Sequence, residues 1–313
     1  MSKIITTHRK TNFLSPSGLR CLANLPAVNI SAGCLHNCIY CYTKGYSVYP
    51  GDDLIEIYDN MAERIAEEIK RKRKKPTAVY FCPSCDPFQP TPQIQQATFD
   101  VMKTILENGI NVQFVTKGKI SHNFLELFEK YHSKIAGQIG LISTDDNILS
   151  IIEPAAAKAQ ERLDQIERLI KIGVKMSVRC DPIIHDFTDA NEQLHRLFSS
   201  IAKTGCEEVA ISFLFLRAAI VSSLKKNIAD AGSLDKILKP FSKGVTLPIG
   251  LKNSTGKMLP LEVRKLGFER IRKIANNYGI KIYICGCKNS DITDESCYIT
   301  RELKNPQDSL FSD

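Results

Sequence analysis

The chain has 313 residues, of which 43% are hydrophobic and 24% are charged, a composition that excludes a disordered or fibrous protein. No apolar run approaches the roughly 18 residues that span a bilayer, so we expect no membrane segment. The amino-terminal residues have no apolar core typical of a signal peptide, which predicts a cytoplasmic protein. The net charge of +8 is compatible with a negatively charged partner.

The cysteines and the basic residues are both informative. Eleven cysteines in a chain without a secretion signal indicate metal or redox chemistry more than disulfides, because the cytosol keeps thiols reduced. The basic residues include one unbroken run, Lys70 to Lys75. Two interpretations of this run stay open: contact with nucleic-acid phosphates, or the solvated carboxyl end of a helix, where the helix dipole favours cations.

Apolar segments alternate with amphipathic ones along most of the chain. Residues 1–26 are a polar, irregular lead-in. The strands predicted after it are 27–30, 78–81, 112–115, 139–143, 174–178 and 208–216. The helices predicted between them begin at a capping box at Asn60 and at Thr91-Pro92, and span 124–131, 155–172 and 191–203. This alternation predicts successive right-handed βαβ units and a parallel sheet over 27–217.

Beyond residue 217 the pattern is looser. We expect a helix from Ala218, an irregular stretch over 244–260, a helix over 261–278 and a strand over 281–284. The sequence therefore predicts one catalytic domain over 27–217, with a cysteine-containing extension over 218–313.

Three cysteines follow the first predicted strand, with three and then two residues between them: Cys34, Cys38 and Cys41. Thiolates at such short spacings can converge on one metal centre, and sulfur selects iron–sulfur clusters or zinc over hard cations. A fourth local cysteine is missing, so one iron of a cubane cluster would keep an open position. A zinc knuckle is the alternative, although zinc sites of that kind usually have paired C-x2-C halves.

The spacing Cys34-x3-Cys38-x2-Cys41, with the aromatic Tyr40 before the last cysteine, resembles the signature of radical S-adenosylmethionine (SAM) enzymes. The resemblance implies a [4Fe–4S] cluster whose open iron chelates SAM and whose electron cleaves it to a 5′-deoxyadenosyl radical. It also implies that Tyr40 lies beside the adenine, and that a reductant protein of the flavodoxin or ferredoxin type supplies the electron.

Polar residues follow the predicted strands, where the chemistry of parallel α/β barrels is found. They are Cys82-Pro83-Ser84-Cys85-Asp86, Thr116-Lys117, Ser143-Thr144 and Arg179-Cys180-Asp181. Together with the cysteine motif, these segments resemble the spore photoproduct lyase-like branch of the radical SAM proteins, also called DNA repair photolyase-like, over about residues 28–217. This likeness implies a partial (β/α)6 TIM-type barrel.

The resemblance also implies roles for individual residues. Lys117 would pair with the SAM carboxylate, Ser143 would hydrogen-bond the ribose or the methionyl end, and Arg179 would contact SAM nearby. Ser84 and Asp86 would lie at the methionyl amine, with Asp86 as acceptor. The alternative for each strand-end charge is a solvated position on the rim.

A hydrogen relay is a further implication of the resemblance. In spore photoproduct lyase a tyrosine and a cysteine return a hydrogen atom to the product, and Tyr42 matches the position of that tyrosine. Cys82 and Cys85 lie near the position of the cysteine, but their flanking residues differ, which puts thymine-dimer repair in doubt. A C-x2-C pair could equally bind a metal.

Cys285, Cys287 and Cys297 are close together near the carboxyl end of the sequence. They predict an auxiliary iron–sulfur cluster, to which Cys82, Cys85, Cys180 or Cys206 could add a ligand. The alternative is that they are small buried residues.

The sequence thus predicts a radical SAM enzyme that abstracts hydrogen from a nucleic-acid base or nucleotide, in DNA or RNA repair or modification. Modification of a peptide or small metabolite is a second hypothesis. A non-catalytic iron–sulfur or zinc protein that binds nucleic acid is a third, from another class.

Overall fold

The computed structural model of the protein describes residues 2–17, 22, 25–249 and 254–296. Its strands in chain order are β1 Lys3–Thr7, β2 Ser15–Pro16, β3 Pro26–Val28, β4 Ser31–Ala32, β5 Leu54–Tyr58, β6 Ala78–Phe81, β7 Asn111–Thr116, β8 Ile135–Gly140, β9 Lys175–Ile183, β10 Glu208–Phe213, β11 Thr246–Pro248, β12 Thr255–Lys257 and β13 Lys281–Ile284. Its helices are α1 Met61–Arg71, α2 Pro92–Glu107, α3 Phe124–Tyr131, α4 Asp146–Ile152, α5 Ala159–Lys171, α6 Asn191–Lys203, α7 Ala218–Asn227, α8 Ala231–Leu238 and α9 Leu261–Asn276.

The main sheet has the strand order β13-β10-β9-β8-β7-β6-β3-β2. Every neighbouring pair in it is parallel except β2 with β3. The six predicted strands therefore lie side by side in chain order, which confirms the predicted α/β class and the partial barrel. A seventh parallel strand, β13, extends the sheet next to β10, and α7 to α9 supply the long crossover that a parallel neighbour requires.

The helices bury one apolar face each against this sheet. In α1 the buried residues recur at Met61, Ile65 and Ile69, as the sequence predicts. The capping box predicted at Asn60 is not formed, because Asn60 adopts a left-handed backbone (φ 48°) and its side chain makes no cap hydrogen bond. Thr91 does precede α2 in extended conformation, and Pro92 occupies the first turn, where its missing N–H leaves no donor unsatisfied.

The fourth strand of the barrel, β8, is displaced from its prediction. It covers Ile135–Gly140 instead of 139–143. Gly137 lies where a side chain would come within 2.5 Å of Phe114 and 2.8 Å of Met176. Close packing across the sheet requires glycine at this strand position. A prediction from hydrophobicity instead favours the apolar residues that follow it.

Two regions predicted to be irregular contain strands. In the lead-in, β1 pairs in parallel with β5, and β4 pairs with β5 antiparallel, so these three strands form a second sheet. In the 244–260 stretch, β11 and β12 form an antiparallel pair. These strands are short and partly exposed, so they lack the apolar runs by which buried strands are recognised.

One hydrophobic cluster runs from Phe13 to Ile284 and includes residues of the extension, so the residues after 217 share the core of the barrel. Within the ranges given above, no helix combines the length and the hydrophobicity needed to cross a membrane.

Candidate active site

A cavity of about 370 Å³ lies at the carboxyl ends of the parallel strands. Its walls include residues at or just beyond the ends of successive strands, among them Cys82 after β6, Lys117 after β7, Gly140 at the end of β8 and Leu214 after β10. The volume is in the range of small-molecule sites, roughly 300–1,000 Å³. Of the cysteines that the structure describes, seven lie along the wall: Cys34, Cys38, Cys41, Cys82, Cys85, Cys285 and Cys287.

The loop that carries the first three cysteines is fixed by the segment after α4. Ile39 N donates to the carbonyl of Ile152 (3.0 Å), and Ala155 N donates to the carbonyl of His36 (3.4 Å). The same two residues make a second contact, in which His36 Nδ1 lies 3.1 Å from the carbonyl oxygen of Ala155. Since a carbonyl oxygen only accepts, Nδ1 carries the proton. Residues far apart in sequence thus hold the cysteine loop in one conformation.

The thiols of this loop are strongly desolvated. Burial raises the pKa of Cys34 and raises that of Cys38 to about 12, so a cation is needed to hold them as thiolates. These cysteines belong to the described residues, and their three sulfurs do not all lie within 4.8 Å of one another. A tetrahedral zinc would bring the sulfurs to about 3.8 Å from one another. Sulfurs that each bind a different iron of a cubane stand further apart, so the donor set fits the cluster better than zinc.

Lys117 brings a cation into the same cavity. Its ammonium has no hydrogen-bond or ion-pair partner among the residues that the structure describes. Burial lowers the pKa of Lys117, but the charges of Cys38, Glu153 and Asp86 outweigh this effect and raise it above the usual value. Gly140 leaves room for the side chain, since a Cβ there would lie 2.7 Å from Lys117 Cγ. An available ammonium next to the thiols fits the carboxylate of a ligand.

Tyr40 belongs to a buried trio of side chains with the charged Glu153 and Arg162. The Tyr40 hydroxyl donates to Glu153, and Glu153 pairs with Arg162 at 2.6 Å, both charged side chains being 0% exposed. Arg162 also donates to the carbonyls of Ala157 (2.7 Å) and Gly140 (2.8 Å). The trio fixes the Tyr40 ring at the cavity wall.

In the sequence, Glu153 and Arg162 belong to the polar segment after the fourth predicted strand, and no separate role is predicted for either. One signal was available for Arg162, which lies four residues before Ile166 on the buried face of α5. A charge at a core position of an amphipathic helix indicates a buried partner.

Asp86 lines the cavity but is occupied by the protein itself. Its Oδ1 accepts from Phe88 N (2.9 Å) and from Thr116 Oγ1 (2.7 Å), and its Oδ2 accepts from Lys117 N (2.8 Å). The carboxylate therefore ties the loop after β6 to the end of β7. Ser84, its neighbour on the cavity wall, donates its N–H to Asn29 Oδ1 (3.0 Å). Contact of either residue with a ligand amine stays a prediction.

Ser143 and Arg179 are placed differently. Because β8 ends at Gly140, Ser143 is three residues beyond the strand; it is not part of the cavity wall, and its hydroxyl accepts from Asp145 N at 3.0 Å. Arg179 does line the cavity, where Nη2 donates to Asp181 at 2.8 Å. Lys288 donates to the same carboxylate at 2.6 Å, so this wall holds two cations around one anion.

Tyr42 and the C-x2-C pair adjoin on the wall. The Tyr42 hydroxyl donates to the carbonyl of Pro83, which lies between Cys82 and Cys85. Burial raises the pKa of Tyr42 well above its usual value, so the phenol stays protonated. The structure thus brings together the three residues predicted for the hydrogen relay.

Cys285 and Cys287 reach the cavity because they follow β13, and Cys285 N donates to the carbonyl of Ile211 at 3.0 Å. Cys297 lies outside the described residues. Of the cysteines considered as a further ligand, Cys180 and Cys206 are not on the cavity wall: the Cys180 thiol donates to a backbone carbonyl at 3.0 Å, and Cys206 precedes the amino end of β10. Cys82 and Cys85 are on it.

An aromatic and cationic part of the wall was not predicted. Two cations lie near Phe215, with Arg217 at 5.2 Å and Lys288 at 5.4 Å from its ring centroid. Tyr46 lines the same cavity. The sequence placed Phe215 inside a predicted strand, 208–216, whereas β10 ends at Phe213 and leaves the ring in the following loop.

The basic run is at the other end of the barrel. Residues 70–75 lie at and beyond the carboxyl end of α1 and are followed by β6, whose amino end points away from the cavity. Lys72, Lys74 and the other side chains of the run beyond Ile69 are exposed. The run therefore does not border the site.

The model of the radical SAM superfamily matches residues 28–198, more than half of the chain. One sequence relative is the uncharacterized protein ORF301 of Acidianus two-tailed virus, 24% identical over 226 residues that cover 68% of this chain and 74% of the relative. Another is the radical SAM Nalpha-GlyT isomerase of Pseudomonas phage M6, 24% identical over 182 residues that cover 58% of this chain and 37% of the relative.

Similar folds are found in solved structures of spore photoproduct lyase. Its complex with dinucleoside spore photoproduct has a TM-score of 0.67 and 16% identity, covering 90% of this chain and 82% of that chain. A mutant with bound AdoMet and the same dinucleoside has a TM-score of 0.67, covering 90% and 81%. With the family match, a fold similar to that of spore photoproduct lyase and three cysteines on one cavity wall, the protein belongs to the radical SAM superfamily and is a radical SAM enzyme, with a [4Fe–4S] cluster and SAM as its cofactors.

Proposed function

We propose that this radical SAM enzyme abstracts a hydrogen atom from a carbon of a nucleic-acid base or nucleotide. The observation that carries the proposal is Phe215 on the cavity wall, with Arg217 and Lys288 against its ring. An aromatic face stacks on a base, and a guanidinium beside it suits a phosphate. Among the described residues, Arg217 makes its hydrogen bonds to Thr255 O and Ser254 Oγ and has no carboxylate partner.

The relatives support the same substrate class. Spore photoproduct lyase, whose fold is similar, has been solved in complex with dinucleoside spore photoproduct. These names describe those proteins. For this chain they favour a nucleobase over a peptide or small metabolite as the first substrate class to test.

The cofactors would be held by residues on the cavity wall. Cys34, Cys38 and Cys41 would hold the cluster, Lys117 would neutralise the SAM carboxylate, and Tyr40 would lie beside the adenine. Bound together, the cluster and SAM supply a carbon radical that abstracts hydrogen. The protein keeps water out and orients the reacting carbon. Arg179 is held by Asp181 on the same wall, a position that suits a contact with SAM.

Hydrogen return would involve Tyr42 with Cys82 or Cys85. The short path from the tyrosine hydroxyl to Pro83, between the two cysteines, supports this assignment. An auxiliary cluster on Cys285, Cys287 and Cys297 is a separate proposal, supported by the position of the first two on the cavity wall. Roughly eight irons per chain after anaerobic reconstitution would support it, and roughly four would contradict it.

The decisive experiment has two steps. The reduced, reconstituted protein is first mixed with SAM, and 5′-deoxyadenosine is measured. We then compare its formation with no addition, with short DNA and RNA, with nucleotides and with a peptide mixture. We expect nucleic acid or nucleotides to raise the yield several-fold.

Substrates deuterated at carbon should then transfer deuterium into 5′-deoxyadenosine. No 5′-deoxyadenosine under any condition would support a non-catalytic iron–sulfur protein. Stimulation by peptides alone would overturn the substrate class while leaving the chemistry intact.

A further inference from the structure

We propose that Cys82 and Cys85 act as one redox unit, a dithiol that closes to a disulfide during turnover, and not as a single hydrogen donor beside an inert neighbour. The inference deepens the proposed function and rests on it for the substrate radical. Formation of the disulfide itself can be measured without any radical chemistry.

The backbone brings the two sulfurs together. Cys85 N donates to the carbonyl of Cys82 at 3.4 Å, which closes a four-residue turn. The ends of such a turn lie within about 7 Å at Cα, and disulfides join Cα atoms roughly 4.4–6.8 Å apart. The two side chains are close enough for each to shift the pKa of the other. A bond between them therefore needs little movement of the chain.

The turn is braced at the cavity. Cys82 has a left-handed backbone (φ 55°), an unfavourable conformation for a residue other than glycine, and its N–H is held by the carbonyl of Val28 at 2.7 Å. Tyr42 donates to Pro83 within the turn. Strained residues of this kind are found disproportionately where function requires a set geometry. Both cysteines face the cavity that would hold the substrate.

The two thiols are chemically unequal. Burial and the neighbouring sulfur raise the pKa of Cys82 well above its usual value, so Cys82 keeps its hydrogen. Burial opposes ionisation of Cys85, but hydrogen bonds from Cys82 and Ser31 outweigh it and lower the pKa of Cys85. One member thus holds a hydrogen atom to give, and the other is the better thiolate.

The step balances as follows. The S–H bond of Cys82 breaks, its hydrogen atom forms a C–H bond with the substrate radical, and a sulfur radical remains on Cys82. The Cys85 thiolate, whose proton has gone to water, forms the S–S bond with it. The one surplus electron needs a one-electron acceptor, which an oxidised [4Fe–4S] cluster held by Cys34, Cys38 and Cys41 would supply. An external dithiol then reduces the disulfide by exchange.

A tight metal site of the pair with a third side chain has no support. Among the described residues, the compact three-ligand groups do not include Cys82 or Cys85. The Cys85 thiol donates to Asn29 Oδ1 at 3.8 Å, and an amide oxygen is not a ligand that soft metal ions prefer.

The test is a redox titration of the full chain carrying its cluster, in anaerobic glutathione buffers of increasing oxidised fraction, with acid quenching and alkylation. Trypsin releases residues 75–103 as one peptide, since it does not cut before Pro76, and this peptide contains Cys82 and Cys85 and no other cysteine. We expect both to lose alkylation together in one two-electron transition, while Cys180 in the core stays alkylatable after denaturation.

Two variants sharpen the result. Cys85→Ala should convert the transition into a mixed disulfide of Cys82 with glutathione, and Cys206→Ala, at the amino end of β10, should leave it unchanged. Independent oxidation of the two cysteines, or protection of both from oxidation by bound iron, would overturn the dithiol. If the peptide never shows the disulfide while 5′-deoxyadenosine still forms, the dithiol inference fails and the proposed function stands. If the peptide shows the disulfide while 5′-deoxyadenosine never forms, the dithiol inference stands and the proposed function fails.

Discussion

The two ends of the barrel use charge in different ways. At the amino end, the run 70–75 presents its cations to water. At the carboxyl end, Glu153 and Arg162 are buried and Lys117 is half-buried near the cysteines, and the ammonium of Lys117 lacks a partner among the described residues. The densest charge in the sequence is therefore remote from the cavity. The feature that indicates the site is a charged side chain shielded from water. Such a charge costs desolvation free energy and is therefore typical of a functional site.

The largest effect is expected from removing a sulfur at the cavity. Cys38→Ala should lower bound iron and 5′-deoxyadenosine formation by at least ~100-fold, because a cluster ligand is more critical than the outer partners whose loss costs ~10–100-fold. Cys206→Ala, also a buried cysteine but on the other end, is the matched control. Iron content and absorbance of the anaerobic protein measure the outcome. A Cys38→Ala protein that keeps its iron and its activity would contradict the assignment of the site.

The second effect concerns the buried pair under Tyr40. Glu153→Gln or Arg162→Met alone leaves one buried charge uncompensated, which should cost about 3–5 kcal/mol of unfolding free energy. The double variant should be destabilised by much less than the sum, and denaturant unfolding of all four proteins closes the cycle. Additive losses would show that the two side chains do not act as a pair.

The same pair has a defined pH dependence. Burial raises the pKa of Glu153, but Arg162 and Lys117 outweigh burial and bring it below the usual 4.5. A carboxyl group whose pKa is lower in the folded state stabilises the fold at pH values above its pKa in the unfolded state. This contribution is lost as the pH falls through the folded-state pKa. The stability gap between the native protein and Glu153→Gln should narrow below pH 4.5. A gap that widens in acid would contradict this sign.

A smaller effect is expected at Lys117. Lys117→Met should weaken SAM binding by roughly 10–100-fold, about 1.4–2.7 kcal/mol, while the cluster spectrum is kept. Lys119→Met is the matched control, because Lys119 is 71% exposed and pairs with Glu161 at the surface. Equilibrium binding of SAM to the reconstituted protein separates the two. Equal affinities in both variants would place the SAM carboxylate elsewhere.

The smallest effect is expected at the amino end. Replacing Lys72, Lys74 and Lys75 by serine should change stability by less than about 0.5 kcal/mol and leave SAM cleavage within about twofold. If this run contacts nucleic acid, retention on DNA should fall and lose part of its salt dependence. Loss of 5′-deoxyadenosine formation in this variant would show that the two ends are coupled.

The sequence was sufficient for elements whose pattern is local. The helices Phe124–Tyr131 and Asn191–Lys203 and the strand Lys281–Ile284 have the predicted bounds, because apolar periodicity and their breakers agree. The predicted cluster and SAM are also supported, through a motif within eight residues. The sequence does not predict β1 and β5, because partly exposed strands have only a weak hydrophobic pattern.

The rest of the site depends on long-range contacts. Tyr40 and Glu153 are 113 residues apart and meet only in the folded chain. β8 ends three residues before Ser143, and β10 ends before Phe215, which therefore lies in the loop that contributes to the cavity wall. No local pattern contains these facts, since each is set by packing between strands that are neighbours only in the sheet.

The seventh strand has a consequence for biosynthesis. The barrel strands are translated in the order in which they pair, so each can join its predecessor as it appears; they are β3, β6, β7, β8, β9 and β10. β13 joins β10 only after α7, α8 and α9 have been translated, and it carries Cys285 and Cys287 with it. Until then the parallel sheet ends at β10, and the cavity wall lacks both of these cysteines.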